Sequence, residues 1–484
     1  MWACALVALA VYLPHGFDGI LTRDLALYSY AGQQFAEGVP PYLGVVNRAG
    51  PLAHAVPGLG VLGARAIGMD DLLGMRVLFL LMSVAAIALS YVLARDVFRS
   101  RAAGLASAGT LLCIEGFINY ATWGPREKTT LVLLYLVAVL AMAHRKWLLT
   151  GFFLALATLT WQPVFLPGIA GAAVAVLVGV PAGSRLRALL RIAVGGLVPT
   201  VLVVASYVAI GELQVFLDDF LIINAQYTEQ VSLMEDPDAV RTFMVEGYGP
   251  SGIVFLVGLA ALLGLAMHGL LRPRARDEES WPMLVASFAV LAVGVLFALW
   301  AFNGFPDAFF LLPWAQLGTG GLCALVVART ARVGKVLTAA FVAVILVMAV
   351  TYSLVHGDEI LDGQREDVTA VMAVLPDDAT ILAIEAPQPL VLTQQRNATR
   401  FQLFGNGLID YLDDTWPGGR DGYAEHVLAT EPEVIALGDL DDPEWMTGPM
   451  GSDYEPVGTS TGWTWYLSTD LGDEVLADAR GALQ

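Results

Sequence analysis

The feature that most constrains this sequence is a series of long apolar runs separated by short charged connectors. A globular core does not need repeated apolar stretches of about 20 residues, whereas a helix that crosses a bilayer does. The sequence therefore predicts an α-helical polytopic membrane protein with about 11 transmembrane helices. The candidate spans lie approximately at residues 2–17, 76–94, 103–121, 129–143, 147–163, 165–182, 192–210, 251–271, 282–302, 309–328 and 336–355.

Residues 356–484 differ sharply from these apolar runs. They contain 25 Asp and Glu but 5 Lys and Arg, a net charge of −20, which leaves +1 for residues 1–355. This acidity argues against a nucleic acid partner and for a separate solvated domain. Strand-like runs alternate there with helical stretches, so we predict a small soluble α/β domain at 356–484 after a transmembrane domain at 1–355. The predicted strands are 380–384, 433–436 and 464–468, and the predicted helices are 366–375, 408–412 and 423–428.

The distribution of cations predicts the orientation. Short cytoplasmic connectors of membrane proteins are enriched in Lys and Arg. Here 14 of the 26 Lys and Arg lie in five short connectors that fall on one side, at 95–101, 145–146, 185–191, 272–276 and 329–335. We therefore expect a multi-pass protein of the plasma (cytoplasmic) membrane, with residues 18–75, residues 211–250 and the C-terminal domain on the extracytoplasmic face.

Two spans are irregular. The first begins at Met1 without a basic flank, so a cleaved signal peptide is an alternative, and we expect the natural start to lie upstream. The fifth and sixth spans form a hairpin that is broken by Trp161-Gln162-Pro163 and by Pro167. Gln162 marks a broken helix whose exposed backbone tends to line a cavity.

The outer loop, residues 18–75, carries the first candidate for chemistry. Thr22 is a suitable helix cap, Asp24 falls in the first turn, and the helix is expected to stop at Gly38. A second apolar segment, 51–67, is predicted to lie along the membrane interface. If it crossed the membrane, all later Lys- and Arg-rich connectors would fall on the opposite side from the one expected. For Asp24 the simple alternative is a favourable interaction with the helix dipole.

A second candidate is the charged triplet Arg126, Glu127 and Lys128, which lies in a connector on the predicted outer side. Two adjacent cations at the start of a helix suit a phosphate group. The alternative is that both cations extend into lipid headgroups.

The remaining polar candidates are isolated residues near the same predicted face. Glu115 and Asn119 lie four residues apart inside a span, and such a carboxyl faces either a cavity or a neighbouring helix. His54 and Asp307 complete this set. No spacing of His and Cys is typical of a metal site, so no metal ligand is predicted and a divalent metal is left open.

Four stretches of the sequence carry a resemblance to a known family. They are residues 24–51 with Pro40-Pro41-Tyr42, Gly124-Pro125-Arg126-Glu127-Lys128, Trp161-Gln162-Pro163, and residues 304–313. Together they resemble the GT-C superfamily of integral membrane glycosyltransferases, namely the relatives of protein mannosyltransferases and aminoarabinose transferases. In two places the sequence departs from the pattern of these relatives. Asp307 stands where relatives usually carry the histidine of Pro-His-Tyr, and Arg48-Ala49-Gly50-Pro51 replaces a basic residue followed by Pro-Pro.

The resemblance implies transfer of a sugar from a polyprenyl-phosphate-linked donor, similar to dolichyl-phosphate mannose, to an acceptor hydroxyl in the cell envelope. By this resemblance Asp24 is the general base and Glu127 the second catalytic acid, while Arg48, Arg126 and Lys128 bind the donor phosphate. The implied partners are the lipid-linked donor, membrane lipids, and an acceptor that is a glycan, a lipid or a protein. The implied substrate-cavity residues are Tyr28, Tyr42, Asn47, His54, Glu115, Asn119, Gln162 and Asp307.

Two other classes of function compete with this interpretation. A transporter or flippase of lipid-linked saccharides would spread charges through the spans and show inverted repeats, and no convincing repeat is present. A membrane scaffold whose tail binds partners would leave the triplet at 126–128 unexplained.

Overall fold

The computed structural model describes residues 1–229, 232–271 and 280–483. The chain divides into two compact units. The first consists of Met1–Gly16, Val77–Gly211 and Gln230–Gly357, and the second of Phe17–Arg76, Glu212–Glu229 and Asp358–Gln484. The outer loop thus belongs to the same unit as the C-terminal residues, and the boundary predicted at residue 355 stays a prediction. The arginines counted at 272, 274 and 276 lie outside the described residues.

The structure is mainly helical, with a small sheet near the C-terminus. In chain order the helices are α1 (Trp2–Tyr12), α2 (Arg23–Ala36), α3 (Leu52–Ile67), α4 (Asp71–Phe98), α5 (Arg101–Leu112), α6 (Glu115–Thr122), α7 (Glu127–Ala143), α8 (Trp147–Thr158), α9 (Phe165–Gly179), α10 (Ala182–Ile210), α11 (Leu213–Leu217), a π-helix (Asp218–Tyr227), α12 (Pro237–Tyr248), α13 (Ser251–Leu271), α14 (Trp281–Trp300), α15 (Leu312–Thr330), α16 (Arg332–Val355), α17 (Ile360–Ala373), α18 (Gln388–Thr393), α19 (Leu408–Thr415), α20 (Gly419–Leu428), α21 (Glu444–Met450) and α22 (Asp473–Ala482). Short 3-10 turns cover Leu13–His15, Gln162–Val164, Phe305–Leu311 and Thr469–Leu471.

The prediction of a polytopic helical membrane protein is confirmed. Among the described residues, seven helical segments are long and apolar enough to cross a membrane, or eight if α5 and α6 form one span. Three further predicted spans coincide with α1, α7 and α8, which are shorter than 18 residues. The exact number of eleven spans therefore stays a prediction.

One predicted span is not continuous. The apolar run at 103–121 consists of two helices, α5 and α6, whose axes differ by 69°. The break falls at Cys113 and Ile114, and α6 then begins at Glu115. An apolar run carries no local signal for such a bend, because all its residues remain compatible with a helix.

The helices of the first unit pack closely through small residues. Gly151 of α8 faces the carbonyl oxygen of Ile192, and Gly195 of α10 faces that of Leu148, so a Cβ at either glycine would overlap the opposite backbone. Gly258 of α13 and Gly318 of α15 make a second contact of the same kind. Small residues that let backbones approach are typical of helix pairs in membranes.

Two of the basic connectors come together in the first unit. Asp96 accepts a hydrogen bond from Arg95 Nε at 2.7 Å and lies 3.1 Å from His144 Nε2. These three residues line a cavity of about 540 Å³ together with Arg99 and Arg101. This grouping is what the positive-inside interpretation expects of connectors on one side.

The second unit contains a four-stranded sheet with the order β1 (Ile381–Ile384), β2 (Val434–Leu437), β4 (Trp463–Ser468) and β3 (Tyr454–Ser460). β1 pairs with β2 in parallel, and β4 pairs antiparallel with both β2 and β3. Three of these strands agree with the sequence prediction. β3 was missed, because Pro456 and Gly458 are unusual inside a strand, and they are tolerated here at an edge with a register shift.

Two amide side chains cover the outer edge of β1. Gln395 accepts a hydrogen bond from the N–H of Ile381 at 3.1 Å, and Asn397 accepts one from the N–H of Ala383 at 2.9 Å. The Asn397 amide also donates to the carbonyl oxygens of Ala383 and Phe401, at 3.3 and 3.2 Å. Residues two apart thus imitate a neighbouring strand, which protects an edge that would otherwise expose unpaired N–H groups.

Candidate functional site

Asp24 lies in the first turn of α2, as predicted. The hydroxyl of Thr22 caps the helix by accepting a hydrogen bond from the N–H of Leu25 at 3.3 Å, and α2 ends at Ala36. The side chain of Asp24 is 40% exposed, so its carboxylate is accessible to a reactant. One of its oxygens lies 3.4 Å from Arg23 Nη2.

Arg23 connects Asp24 to a buried carboxylate from the C-terminal residues. Its Nη1 donates to Glu385 Oε2 at 2.8 Å, and the Glu385 side chain is 1% exposed. Burial alone would lower the pKa of Arg23, but the charges of Asp24 and Glu385 outweigh it and raise that pKa. Arg23 therefore remains a cation beside Asp24.

The second half of the outer loop is held by backbone contacts. Arg48, the predicted phosphate ligand, is half-buried and its Nη1 donates to the carbonyl oxygen of Asn406 at 3.0 Å. Its own carbonyl oxygen accepts from Asn224 at 2.8 Å. Asn47 is buried, and its Oδ1 accepts from the N–H of Ala49 at 2.9 Å, so this side chain shapes the loop.

Asp219 and Arg400 fix the same loop from two other segments of the second unit. Arg400 Nη1 lies 3.2 Å from both carboxylate oxygens of Asp219 and donates to the carbonyl oxygen of Tyr42 at 3.0 Å. Burial raises the pKa of Asp219 to about 7, even though the Arg400 charge acts in the opposite direction. Asp219 is thus a carboxyl group that titrates near neutral pH next to the loop.

Three of the predicted cavity residues lie in an apolar cluster. Tyr42 and His54 are buried and meet edge to face, with ring centroids 5.1 Å apart. Tyr28 packs with Ala49 and Ala53. Burial lowers the pKa of His54 to about 3. His54 is therefore a neutral core residue in this structure.

The charged triplet begins α7 in the first unit and is largely buried. Lys128 is 3% exposed, and its Nζ lies 3.4 Å from Glu127 and 3.1 Å from Asp307. The same ammonium stands 3.5 Å from the centroid of the Trp161 ring, a cation–π contact. Arg126 lies 3.1 Å from Glu127 and over the ring of Tyr120. Headgroup snorkelling requires an exposed cation and does not describe Lys128.

Asn119 and Glu115 have partners inside the first unit. Asn119 Oδ1 accepts from the Tyr352 hydroxyl at 3.1 Å and lies 3.0 Å from His15 Nε2, whose ring stacks on Trp123. The carboxylate of Glu115 lies against Gly249, where φ is +43° and a Cβ would overlap Glu115 Oε2. These side chains therefore form a polar cluster around α6.

Gln162 opens the 3-10 turn Gln162–Val164 between α8 and α9, as predicted. Pro167 does not break the helix, because it lies in the first turn of α9, where a proline is tolerated. The turn places Trp161 where its ring meets Lys128. Among the described residues, no group of three or more His, Cys, Asp or Glu side chains is arranged to hold a metal ion.

The fold matches that of ArnT from Cupriavidus metallidurans. The crystal structure of the apo state superposes with a TM-score of 0.62, and the structure bound to undecaprenyl phosphate with a TM-score of 0.63. Each match is 14% identical in sequence and covers 98% of both chains. The chain has the GT-C fold. No protein-family model matches the sequence, and no curated protein does.

Within this GT-C fold, the sequence located the polar groups but missed their partners. Asp307 was predicted as a polar residue near the outer face and as a departure from the relatives, and the structure pairs it with Lys128. Glu385 and Asp219 were not predicted, because each is an ordinary acid in the sequence. The one local signal for Glu385 is its place directly after the apolar strand-like run that forms β1.

Proposed function

We propose that this chain is a glycosyltransferase that moves a sugar from a polyprenyl-phosphate-linked donor to an acceptor hydroxyl on the extracytoplasmic face. The observation that carries the proposal is the fold, shared over 98% of both chains with an ArnT structure that binds undecaprenyl phosphate. The residue resemblance to aminoarabinose transferases and protein mannosyltransferases points the same way.

Asp24 is the general base of this proposal. The acceptor hydroxyl gives its proton to the Asp24 carboxylate while its oxygen attacks the anomeric carbon of the donor. The bond between that carbon and the phosphate oxygen breaks, and the polyprenyl phosphate leaves with the electron pair. The Asp24 side chain suits this role because it is 40% exposed and lies 3.4 Å from Arg23. Inversion at the anomeric carbon is the expected outcome by resemblance.

The cations stabilise the charge that develops on the leaving phosphate. Arg48 and Arg126 are half-buried candidates, and Lys128, whose side chain is buried, is the third. Glu127 contacts both Arg126 and Lys128, so in this proposal it orients the two cations.

The test compares Asp24→Asn with Asp70→Asn, an exposed acid of the same unit that also pairs with an arginine. Purified protein is given a panel of undecaprenyl-phosphate-linked hexoses and pentoses, with an envelope extract as acceptor, and release of undecaprenyl phosphate is measured. We expect Asp24→Asn to abolish release while it still binds undecaprenyl phosphate, and Asp70→Asn to retain release. Full turnover by Asp24→Asn would exclude it as the base. Movement of the lipid-linked sugar across vesicles without release of undecaprenyl phosphate would instead indicate the flippase alternative.

A further inference from the structure

Glu385 has an unusual conformation for a residue at the end of a strand. It follows β1 directly, and its φ of +55° lies in the left-handed region, which is uncommon for a residue other than glycine. Its N–H donates to the carbonyl oxygen of Gln402 at 2.7 Å. Strained backbone of this kind persists only where the surroundings enforce it, and it concentrates at functional sites.

Both oxygens of the Glu385 carboxylate are committed to specific partners. Oε1 accepts hydrogen bonds from the N–H groups of Phe404 and Gly405, the latter at 2.7 Å. Oε2 accepts from Arg23 Nη1 at 2.8 Å. A buried charge is costly unless it is paired and hydrogen-bonded, and here the backbone fixes the carboxylate while Arg23 neutralises it.

Arg23 in turn uses its two terminal nitrogens on two different carboxylates. Nη1 binds the buried Glu385, and Nη2 faces the exposed Asp24. The planar guanidinium keeps these two nitrogens at a fixed separation. Because Glu385 is held by its backbone partners, the position of Arg23 is set, and with it the position of one oxygen of Asp24.

We propose that Glu385 is a positioning residue of the transferase reaction, which acts through Arg23 to hold the Asp24 carboxylate in one orientation. The inference rests on the proposed role of Asp24 as general base. In this proposal the orientation of the base depends on a carboxylate that lies 362 positions from Arg23 in the sequence.

The experiment is a double-mutant cycle on turnover with Glu385→Gln, Arg23→Gln and the double variant. Glutamine at 385 keeps the shape and an acceptor for the two backbone N–H groups, but presents an uncharged amide to Arg23. We expect Glu385→Gln to lower kcat about 10- to 100-fold, the effect of a misplaced catalytic group, while KM for the lipid-linked donor changes less than about twofold. The double variant should be no slower than Arg23→Gln alone, because in this proposal Glu385 affects Asp24 only through Arg23.

The matched control is Glu455→Gln, a carboxylate of the same unit that pairs with Arg480 at 2.6 Å but is half exposed. It should keep the kcat of the natural protein. If Glu385→Gln fails to fold, Arg23→Gln tests the positioning role instead. Its substitution should be tolerated, because Arg23 is 39% exposed at the start of a helix. A normal melting temperature with a reduced kcat would support the proposal.

Two results would overturn the positioning role: a natural kcat for Glu385→Gln or Arg23→Gln, or effects that add in the double variant. Asp24→Asn, measured alongside, separates this failure from that of the proposed function. If Asp24→Asn is inactive while Glu385→Gln is fully active, the assignment of Asp24 as the base is supported and only the role proposed for Glu385 is wrong. If Asp24→Asn is active, the base itself is wrong.

Discussion

Lys128, which is buried, and Asp307, which is partly buried, lie 179 positions apart in the sequence and form an ion pair with 3.1 Å between Nζ and Oδ1. In the sequence resemblance, Asp307 is a departure from a pattern that usually has histidine at this position. Its second oxygen accepts from the N–H of Asn303 at 3.0 Å, so the carboxylate also fixes the turn that precedes α15. The departure from the family pattern is thus accompanied by a specific partner in this chain.

Removal of Asp307 should destabilise the protein. Asp307→Ala leaves Lys128 with Glu127 as its remaining carboxylate, and we expect the free energy of unfolding to fall by about 3 kcal/mol, as for other broken buried pairs. The measurement is the melting temperature in detergent, followed by tryptophan fluorescence. Asp96→Ala is the control, because Asp96 pairs with the exposed His144 and should change stability by less than about 1 kcal/mol. Equal losses from the two variants would contradict the buried pair.

The cations of the triplet should be required for binding of the lipid phosphate. We expect Arg126→Ala combined with Lys128→Ala to weaken binding of undecaprenyl phosphate by about 10-fold or more, because hydrogen bonds to charged groups are each worth about 1.5–3 kcal/mol. Arg145→Ala combined with Lys146→Ala also removes two adjacent cations, both exposed, and should leave binding unchanged. Binding is measured by thermophoresis in detergent. Unchanged affinity in the first double variant would remove the triplet from the phosphate site.

Stability should depend on pH through Asp219. Its pKa is about 7 in the folded protein against 3.8 in an unperturbed chain, so the folded state holds the proton more tightly. The contribution of Asp219 to stability is therefore fully present below about pH 4 and is lost as pH rises through about 7. We expect the melting temperature of Asp219→Asn to fall less between about pH 5 and pH 8 than that of the natural protein. Parallel pH profiles would show that Asp219 does not titrate in this range.

Asn397 should stabilise the edge of the sheet and carry no glycan, although Asn397-Ala398-Thr399 is a glycosylation sequon. Its amide nitrogen is already used for two hydrogen bonds to carbonyl oxygens. Asn397→Ala should cost about 1–3 kcal/mol, because the N–H of Ala383 loses its acceptor. Asn397→Asp keeps that acceptor but removes both donated hydrogen bonds, so it should also destabilise the edge. Intact mass and melting temperature are the measurements, and a glycosylated Asn397 or a fully stable Asn397→Ala would contradict this prediction.

The local elements of the fold could be predicted because their signals are local. Thr22, Gly38 and the apolar spacing between them define α2, which is enough to place Asp24 in its first turn. Gln162 with Pro163 marks the broken hairpin in the same way. The polar residues of the first unit could be located because a charge is conspicuous against an apolar sequence.

Local patterns in the sequence were sufficient to assign the class of the chain, a helical membrane protein with an acidic α/β region, and to identify a short set of polar residues. They could not show which of these residues contact one another, because that depends on the tertiary fold. The partners Lys128 and Asp307, Arg400 and Asp219, and Arg23 and Glu385 are separated by 179, 181 and 362 positions. Periodicity and capping act over a few residues, whereas such pairs are selected by the packing of distant elements, which must leave no buried charge without a partner.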